Sequence, residues 1–564
     1  MTGYPKRIRA MLSPMLAVIA LAGAGTISAE QKDWQKHLKA DPVLQAMSEE
    51  LDRSKSGLKL DQVAAPYYIE YRVTDLDEAI AEAMFGALNL NARNRYRLVR
   101  VVVRIGNYKQ DSYFGQGEGT VDLLPVDNGI LSLRHVLWLT TDRAYKAAAE
   151  ALTAKQAQLK QFTIDQPVDD FAHADPVHSI APLAKLGGDF SSWTAALEKA
   201  SSFYTEDPQI EEYDSSLHFG AVNQYFVNSE GTMVRSGKTF YELRSHCRTQ
   251  AADGMSLGRT TSYAKTKLTD LPSADQFVKD ASEVAASLKP FREAPVIEEE
   301  YRGPVLFSAR AGSSVFAKLV GENVLGQKPA LGKSGRTTGA FSTNYKTRVL
   351  PEFFSIEDDP TASSYGGHEL LGAYDVDDEG VPAQKVPLIE KGVLTNYLLG
   401  RTPIRDFPSS NGHGRARTPS NLPVPSLGNL IVRSSAPVAP GDLKNKFLEL
   451  CRQRELPYCY RVETVMSASQ FEPNLLYRIY TKDGHEELVR GAVFGDLDLR
   501  ALRSDLIAAG DDVFVESSLS QAPHSIAAPS LLFDELEIKR ASINKENLPE
   551  YPPPTIAHSS AVTK

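Results

Sequence analysis

Apolar positions recur at helical spacing from Asp41 to Leu51, which predicts a short helix there. After Pro66 the period changes to two. Tyr67, Ile69, Tyr71 and Val73 fall on one face, and Val99, Val101, Val103 and Ile105 do so again, with Arg100 and Arg104 opposite. Both runs read as half-buried strands. Residues 131–162 are rich in Ala, Leu and Lys and predict a long helix. Further helices are expected near Ser191–Phe203 and Ser273–Leu288. Between Ser216 and Arg235 two alternating runs flank Asn228-Ser229-Glu230-Gly231, a hairpin signature.

The pattern shifts across a charged stretch, Pro290 to Arg302, that holds two prolines. Beyond it one short helix, Ala311–Val324, is followed mostly by strands and turns. Val386–Ile389 turns at Glu390-Lys391-Gly392 into Val393–Tyr397, and Leu476–Tyr480 turns at Asp483-Gly484 into Leu488-Val489. The fold class expected is α+β: an N-terminal mixed domain over 30–290, then a β-rich domain over 303–540. The tail over 541–564, with Pro549 and Pro552-Pro553-Pro554, reads as extended or disordered. No internal repeat is present.

The first residues follow a different logic. Lys6, Arg7 and Arg9 precede an apolar run, Met11–Gly25, and a small-residue cleavage site at Ile27-Ser28-Ala29. This is the layout of a secretory signal peptide over 1–29. The run is shorter than the roughly 20 residues a spanning helix needs, and no later segment is apolar enough to span a bilayer. Export to the periplasm or cell envelope is therefore expected. Cleavage removes three positive charges and carries the formal net charge of −9 to −12. That balance opposes a nucleic-acid partner, which needs a basic footprint. The three cysteines are too few for a disulfide scaffold or a Cys₄ metal site. Cys451 and Cys459 stand either as a disulfide or as two buried thiols; Cys247 has no evident partner.

Several motifs fail on inspection. Gly326–Ser334 has five residues between its glycines where a phosphate loop needs four. Asp375–Gly380 starts like a calcium loop but has Val386 at its twelfth position, and reads as a solvated acidic turn. His368-Glu369 and His485-Glu486 begin like zincin helices and lack the second histidine.

The order of elements in the second half carries more. Gly303–Phe307 leads into the short helix, followed by Gly372-Ala373-Tyr374-Asp375-Val376-Asp377-Asp378-Glu379-Gly380-Val381-Pro382, by Leu388–Leu394, by Ser410-Asn411-Gly412-His413-Gly414-Arg415, and by Pro423–Asn429. Together these resemble the TldD/TldE (PmbA) family of metallopeptidase-related proteins. The resemblance implies a zinc peptidase type with an H-E-x-x-x-H helix and a later cysteine ligand, and a TldE type that lacks the ligands and pairs with a TldD-like subunit around a cavity for unfolded peptide. Placed on this sequence, Ala317 stands for the first histidine, Lys318 for the glutamate and Glu322 for the second histidine. Alanine cannot ligate, and a lysine cation repels Zn²⁺. The stretch from Ser517 to Ser530 holds His524 and no cysteine.

The expectation is a TldE-like chain with no catalytic residue and no cofactor of its own, zinc entering only if a partner or a rebuilt site supplies ligands. Its partner would be a TldD-like metallopeptidase subunit or a second copy of itself. The competing readings are a stand-alone envelope peptide-binding or structural homo-oligomer and an active metallopeptidase with a non-standard metal site. Asn411, His413 and Arg415 are the candidate peptide-cleft residues, because glycines beside His413 let backbone approach a ligand closely. The opposing reading of this loop is a tight packing turn.

Overall fold

The computed structural model describes residues 38–557, apart from 39, 60, 62, 114–118, 162–166, 468–470, 520–521, 543–550 and 552. The expected leader and most of the expected tail lie outside the described residues. Within the tail, read as extended or disordered, Pro554–Ala557 forms one helical turn.

Helix α1 (Pro42–Gly57) begins at Asp41, whose Oδ1 accepts the Val43 and Leu44 amides, and strands β1 (Pro66–Met84) and β2 (Ala87–Ile105) follow. Next come β3 (Thr120–Leu124), α2 (Ile130–Leu159), β4 (His178–Ile180) and α3 (Ser191–Ala200). Strands β5 (Ile210–Asn228), β6 (Met233–Gln250) and β7 (Ser256–Lys265) precede α4 (Ala274–Ala286) and α5 (Leu288–Glu293). All seven strands form one sheet of order β3-β2-β1-β5-β6-β4, with β7 also paired to β6.

Alternation gives this sheet two unlike faces. Ile69, Tyr71, Val73, Val99, Val101 and Val103 pack under α1 and α2 with Leu133, Leu137 and Tyr145. Farther along the same face Ala79, Ala81, Leu217, Phe219 and Leu243 pack under α3 and α4 with Trp193, Leu197 and Phe277. The opposite face is polar and turns toward the second half of the chain. From it Arg72 donates to the Asn421 carbonyl, Arg100 to that of Ser420 and Lys238 to that of Ala373.

The charged stretch Pro290–Arg302 begins inside α5 and pairs at Val296 with Arg490. Strand β8 (Tyr301–Phe307) then enters an eight-stranded sheet, between Leu531–Arg540 and Tyr458–Ser467. Helix α6 (Ala309–Phe316) follows, capped by Ser308 Oγ on the Ala311 amide. A six-stranded sheet runs Val393–Leu394, Val386–Glu390, Phe354–Asp358, Asn429–Ser434, His524–Ala528, Phe514–Ser518. One apolar core joins both sheets and α6. Both expected hairpins form, and the two largest C-terminal sheets draw all their strands from residues 301–540. Cys451 and Cys459 are bonded, with sulfurs 2.09 Å apart, and Cys247 is a buried free thiol.

Candidate functional site

Helix α6 buries Val315 and Phe316, and the core face continues through Val320 and Val324. At its end the hydrogen-bond register widens. Residues Ala317–Gly321 form a π-turn, and the Glu322 amide donates to the Ala317 carbonyl across 3.2 Å. An α-helix sends residues i and i+5 to different sides, whereas a π-turn brings them toward one side. The backbone thus keeps the geometry that an H-x₄-H pair needs, at the positions where the resemblance places that pair.

Ala317 opens into a cleft of about 510 Å³ between the two halves. Ser262 to Lys265 of β7 and Glu242 of β6 form one wall, and Phe514 to Leu519 form the other. His368, Glu369, Arg310 and His524 complete the lining. His524, in the segment where the family's cysteine is expected, therefore meets Ala317 in one cleft. Both walls are sheet edges: among the described residues, β7 pairs only with β6, and Phe514–Ser518 only with His524–Ala528. The Glu516 carboxylate accepts the Ser313 and Ser314 hydroxyls at 2.8 and 3.3 Å, and Glu369 accepts the Thr266 hydroxyl.

A catalytic zinc needs about three protein donors and an open position. Ala317 offers a methyl group. Lys318 Nζ donates to Glu322 Oε1 across 3.0 Å, and Glu322 is 60% exposed and outside the cleft lining. His524 Nδ1 is engaged with the Ala522 carbonyl at 3.0 Å. These residues do not fit a zinc ion at the motif, and a site rebuilt from Glu322 and His524 does not converge.

The three candidate cleft residues lie elsewhere. His413 is fully buried: Nε2 is 3.1 Å from Asp358 Oδ1, and Nδ1 faces Asn411. Asn411 receives the Leu399 amide at 2.8 Å and donates to the Tyr397 carbonyl at 2.8 Å. Arg415 is buried with its guanidinium 4.2 Å above the Tyr374 ring and 3.6 Å from Asp378. His413 and Asn411 spend their hydrogen bonds on holding loops together, and none of the three residues lines the cleft at Ala317.

Within the acidic run expected as a solvated turn, Asp375 is exposed but Asp377 and Glu379 are buried. Asp377 accepts the Glu379, Val381 and Gly414 amides at 3.0, 2.8 and 2.9 Å. Glu379 Oε2 accepts the Arg401 amide at 2.5 Å, and burial pushes the Glu379 carboxyl up to about 7. Burial and the charge of Glu379 raise Asp377 as well. Gly414 is required here, since a Cβ would stand 2.1 Å from Glu379 Oε2. Arg401 is fully buried between the halves. It donates to the Ala172 carbonyl at 2.7 and 3.0 Å, pairs with Glu230 at 2.7 Å and lies 4.0 Å over Phe171. The burial of Asp358, Asp377, Glu379 and Arg401 was not legible in the sequence, because acids and arginines are ordinarily solvated. The Gly neighbours of Glu379 were the one local signal.

Residues 300–540 match the model of the PmbA/TldA metallopeptidase C-terminal domain. Over those residues the chain carries the C-terminal domain of that family. It is 35% identical over 95 residues to a metalloprotease TldD homolog of Buchnera aphidicola, a span of 17% of this chain and 19% of that relative. It is 33% identical over 103 residues to a metalloprotease of Methanocaldococcus jannaschii, 18% of this chain and 20% of that one. The chain thus aligns with about a fifth of the length of these relatives. The likeness in fold reaches farther. The crystal structure of TldE from Thermococcus kodakarensis is matched over 88% of this chain and 100% of the other, with a TM-score of 0.55 and 14% identity. Mixed α/β architecture with a β-rich C-terminal region is common to both. Among the described residues no helix is long and apolar enough to cross a membrane.

Proposed function

We propose that this chain is an exported, non-catalytic family member that pairs with a TldD-like metallopeptidase subunit and holds unfolded peptide extended in the cleft. One observation carries the reading. The π-turn persists at Ala317–Gly321 while the positions that would ligate zinc are occupied by Ala317 and by a Lys318–Glu322 ion pair. The cleft favours extended peptide because its two walls are sheet edges, and backbone hydrogen bonds to an edge bind a strand with little regard to side chains. The relatives named as metalloproteases support a proteolysis-related role. The bonded Cys451 and Cys459 suit an oxidising compartment, in keeping with the leader around Lys6, Arg7 and Arg9.

The test is purification of the full chain from its native envelope. A TldD-like protein with an intact H-E-x-x-x-H motif at near-equal amounts is expected, and the isolated chain should cleave no peptide. Recovery as a self-associated species alone would favour the stand-alone binding protein. Chelator-sensitive cleavage by the isolated chain would overturn the non-catalytic reading.

A further inference from the structure

On the polar face of the first sheet, away from the zinc-motif positions, three ligand-type side chains converge. Asp214 of β5 stands directly opposite His246 of β6 in the antiparallel register, and Glu212 lies two residues from Asp214 on the same face. One donor atom from each of Glu212, Asp214 and His246 lies within 4.8 Å of the others, and all three side chains are half-buried. We propose that these three residues form a divalent-cation site of the zinc type, distinct from the degenerate motif at Ala317–Glu322.

The chemistry of the set points to zinc. One imidazole and two carboxylates make three donors, leaving one tetrahedral position for water. An imidazole disfavours calcium and magnesium, which take oxygen ligands. Zinc bonds of about 2.0–2.1 Å set tetrahedral donors about 3.4 Å apart, so side-chain rotation must close the set by about 1 Å. Arg244 beside Asp214 and Arg248 on Glu212 are the cations that a metal ion would have to displace. His246 Nδ1 is held by Thr260 Oγ1 at 2.9 Å, which fixes the ring and frees Nε2 for a metal. Gly258 of β7 makes room for the ring: a Cβ there would stand 3.2 Å from His246 Cε1 and 3.9 Å from Nε2. Glu212 Oε2 accepts from Arg248 Nε at 3.0 Å, which leaves Oε1 available. That ion pair is solvent-accessible, at 33% and 42% exposure, and weak enough to yield to a divalent ion.

The neighbouring side chains Tyr213 and Cys247 turn to the helix-covered face, so the cation would sit on the face that also supplies Glu242 and Ser262 to the cleft. His246 lies four residues along β6 from Glu242, about 13 Å at strand spacing. A metal here would clamp β5 to β6 beside the cleft.

The full chain, stripped with chelator, is titrated with Zn²⁺ and separately with Ca²⁺, and bound metal is counted by elemental analysis after dialysis. One zinc per chain is expected, with a thermal midpoint raised by Zn²⁺ and unmoved by Ca²⁺. His246→Ala and Asp214→Asn should each weaken zinc binding at least about 10-fold. If either variant fails to fold, Glu212→Gln on the more exposed ligand gives the same readout. No zinc retained at micromolar free metal, binding unchanged in the variants, or equal displacement by Ca²⁺ would each overturn the site. None of these outcomes depends on whether a TldD-like partner co-purifies.

Discussion

Lys318 Nζ and Glu322 Oε1 are joined across 3.0 Å at two positions where the family's zinc chemistry would need a glutamate and a histidine. The pair is exposed, at 36% and 60%, so its loss should change stability by no more than about 0.5 kcal/mol. Its chemical effect is larger, because the π-turn beneath it still has the register of a ligand-bearing helix. The combined substitution Ala317→His, Lys318→Glu, Glu322→His should still add no tightly bound zinc relative to the parent, because position 322 lies outside the cleft that holds His524. Elemental analysis of the purified variant decides it; one extra zinc per chain, lost again on adding His524→Ala, would show that the three positions can converge.

Arg401 predicts a different kind of sensitivity. Its guanidinium is fully buried and supplies the Ala172 carbonyl and Glu230 with donors from across the boundary between the halves. Removing it leaves those acceptors uncompensated, a loss of about 3–5 kcal/mol for a broken buried pair. Arg401→Ala should lower the urea midpoint accordingly, and Arg401→Lys should recover only part, since an ammonium cannot span the same contacts. A loss below about 1 kcal/mol would show that the buried charge is not a lock.

Much of the fold was legible because its signals are local. The period-two runs around Tyr71 and Val101 became β1 and β2, and the Asn228–Gly231 turn joined β5 to β6. The short helix expected over Ala311–Val324 became α6 and the π-turn that continues it. The site was less legible, because its parts are distant in sequence. Ala317 and His524 meet only through pairing of strands more than 200 residues apart, and no window of sequence shows that the cleft has two open sheet edges. His413 misled for a related reason. Flanking glycines allow close approach of any partner, and here the partner is Asp358 of the same core. Glu212, Asp214 and His246 could not be paired until the register of β5 and β6 was known.

Glu379 makes stability depend on pH near neutrality. Burial raises its carboxyl from 4.5 to about 7 in the folded chain, against the pull of the Arg401 amide and charge. Folded protein therefore keeps this proton where unfolded chain has lost it. The contribution is fully present below about pH 4.5 and is lost as pH rises through 7. The stability of the parent relative to Glu379→Gln should fall by up to about 3 kcal/mol between pH 5 and pH 8. Asp377 is raised by burial and also by the charge of Glu379, so its share changes in the variant and is separated by repeating the comparison in an Asp377→Asn background. Denaturant unfolding of both proteins at several pH values measures it, and a flat difference would mean the carboxyl ionises normally inside the fold.

The cysteines give a test that bears on compartment as well as stability. Cys451 and Cys459 are bonded across a sequence separation of 8, and Cys247 is a buried thiol that desolvation pushes up to about 12. A thiol held protonated and out of solvent reacts slowly. Native protein from the envelope should therefore show almost no fast-reacting thiol. Denaturation without reductant should expose one, and denaturation with reductant all three. Closing so short a loop restricts the unfolded chain by about 2.5 kcal/mol in the loop-entropy estimate. Cys451→Ser combined with Cys459→Ser should lose stability of that order, and reductant should then have no further effect. Three thiols in the denatured, unreduced protein would mean that the pair is not bonded in the cell, and would remove the support that the bond lends to export.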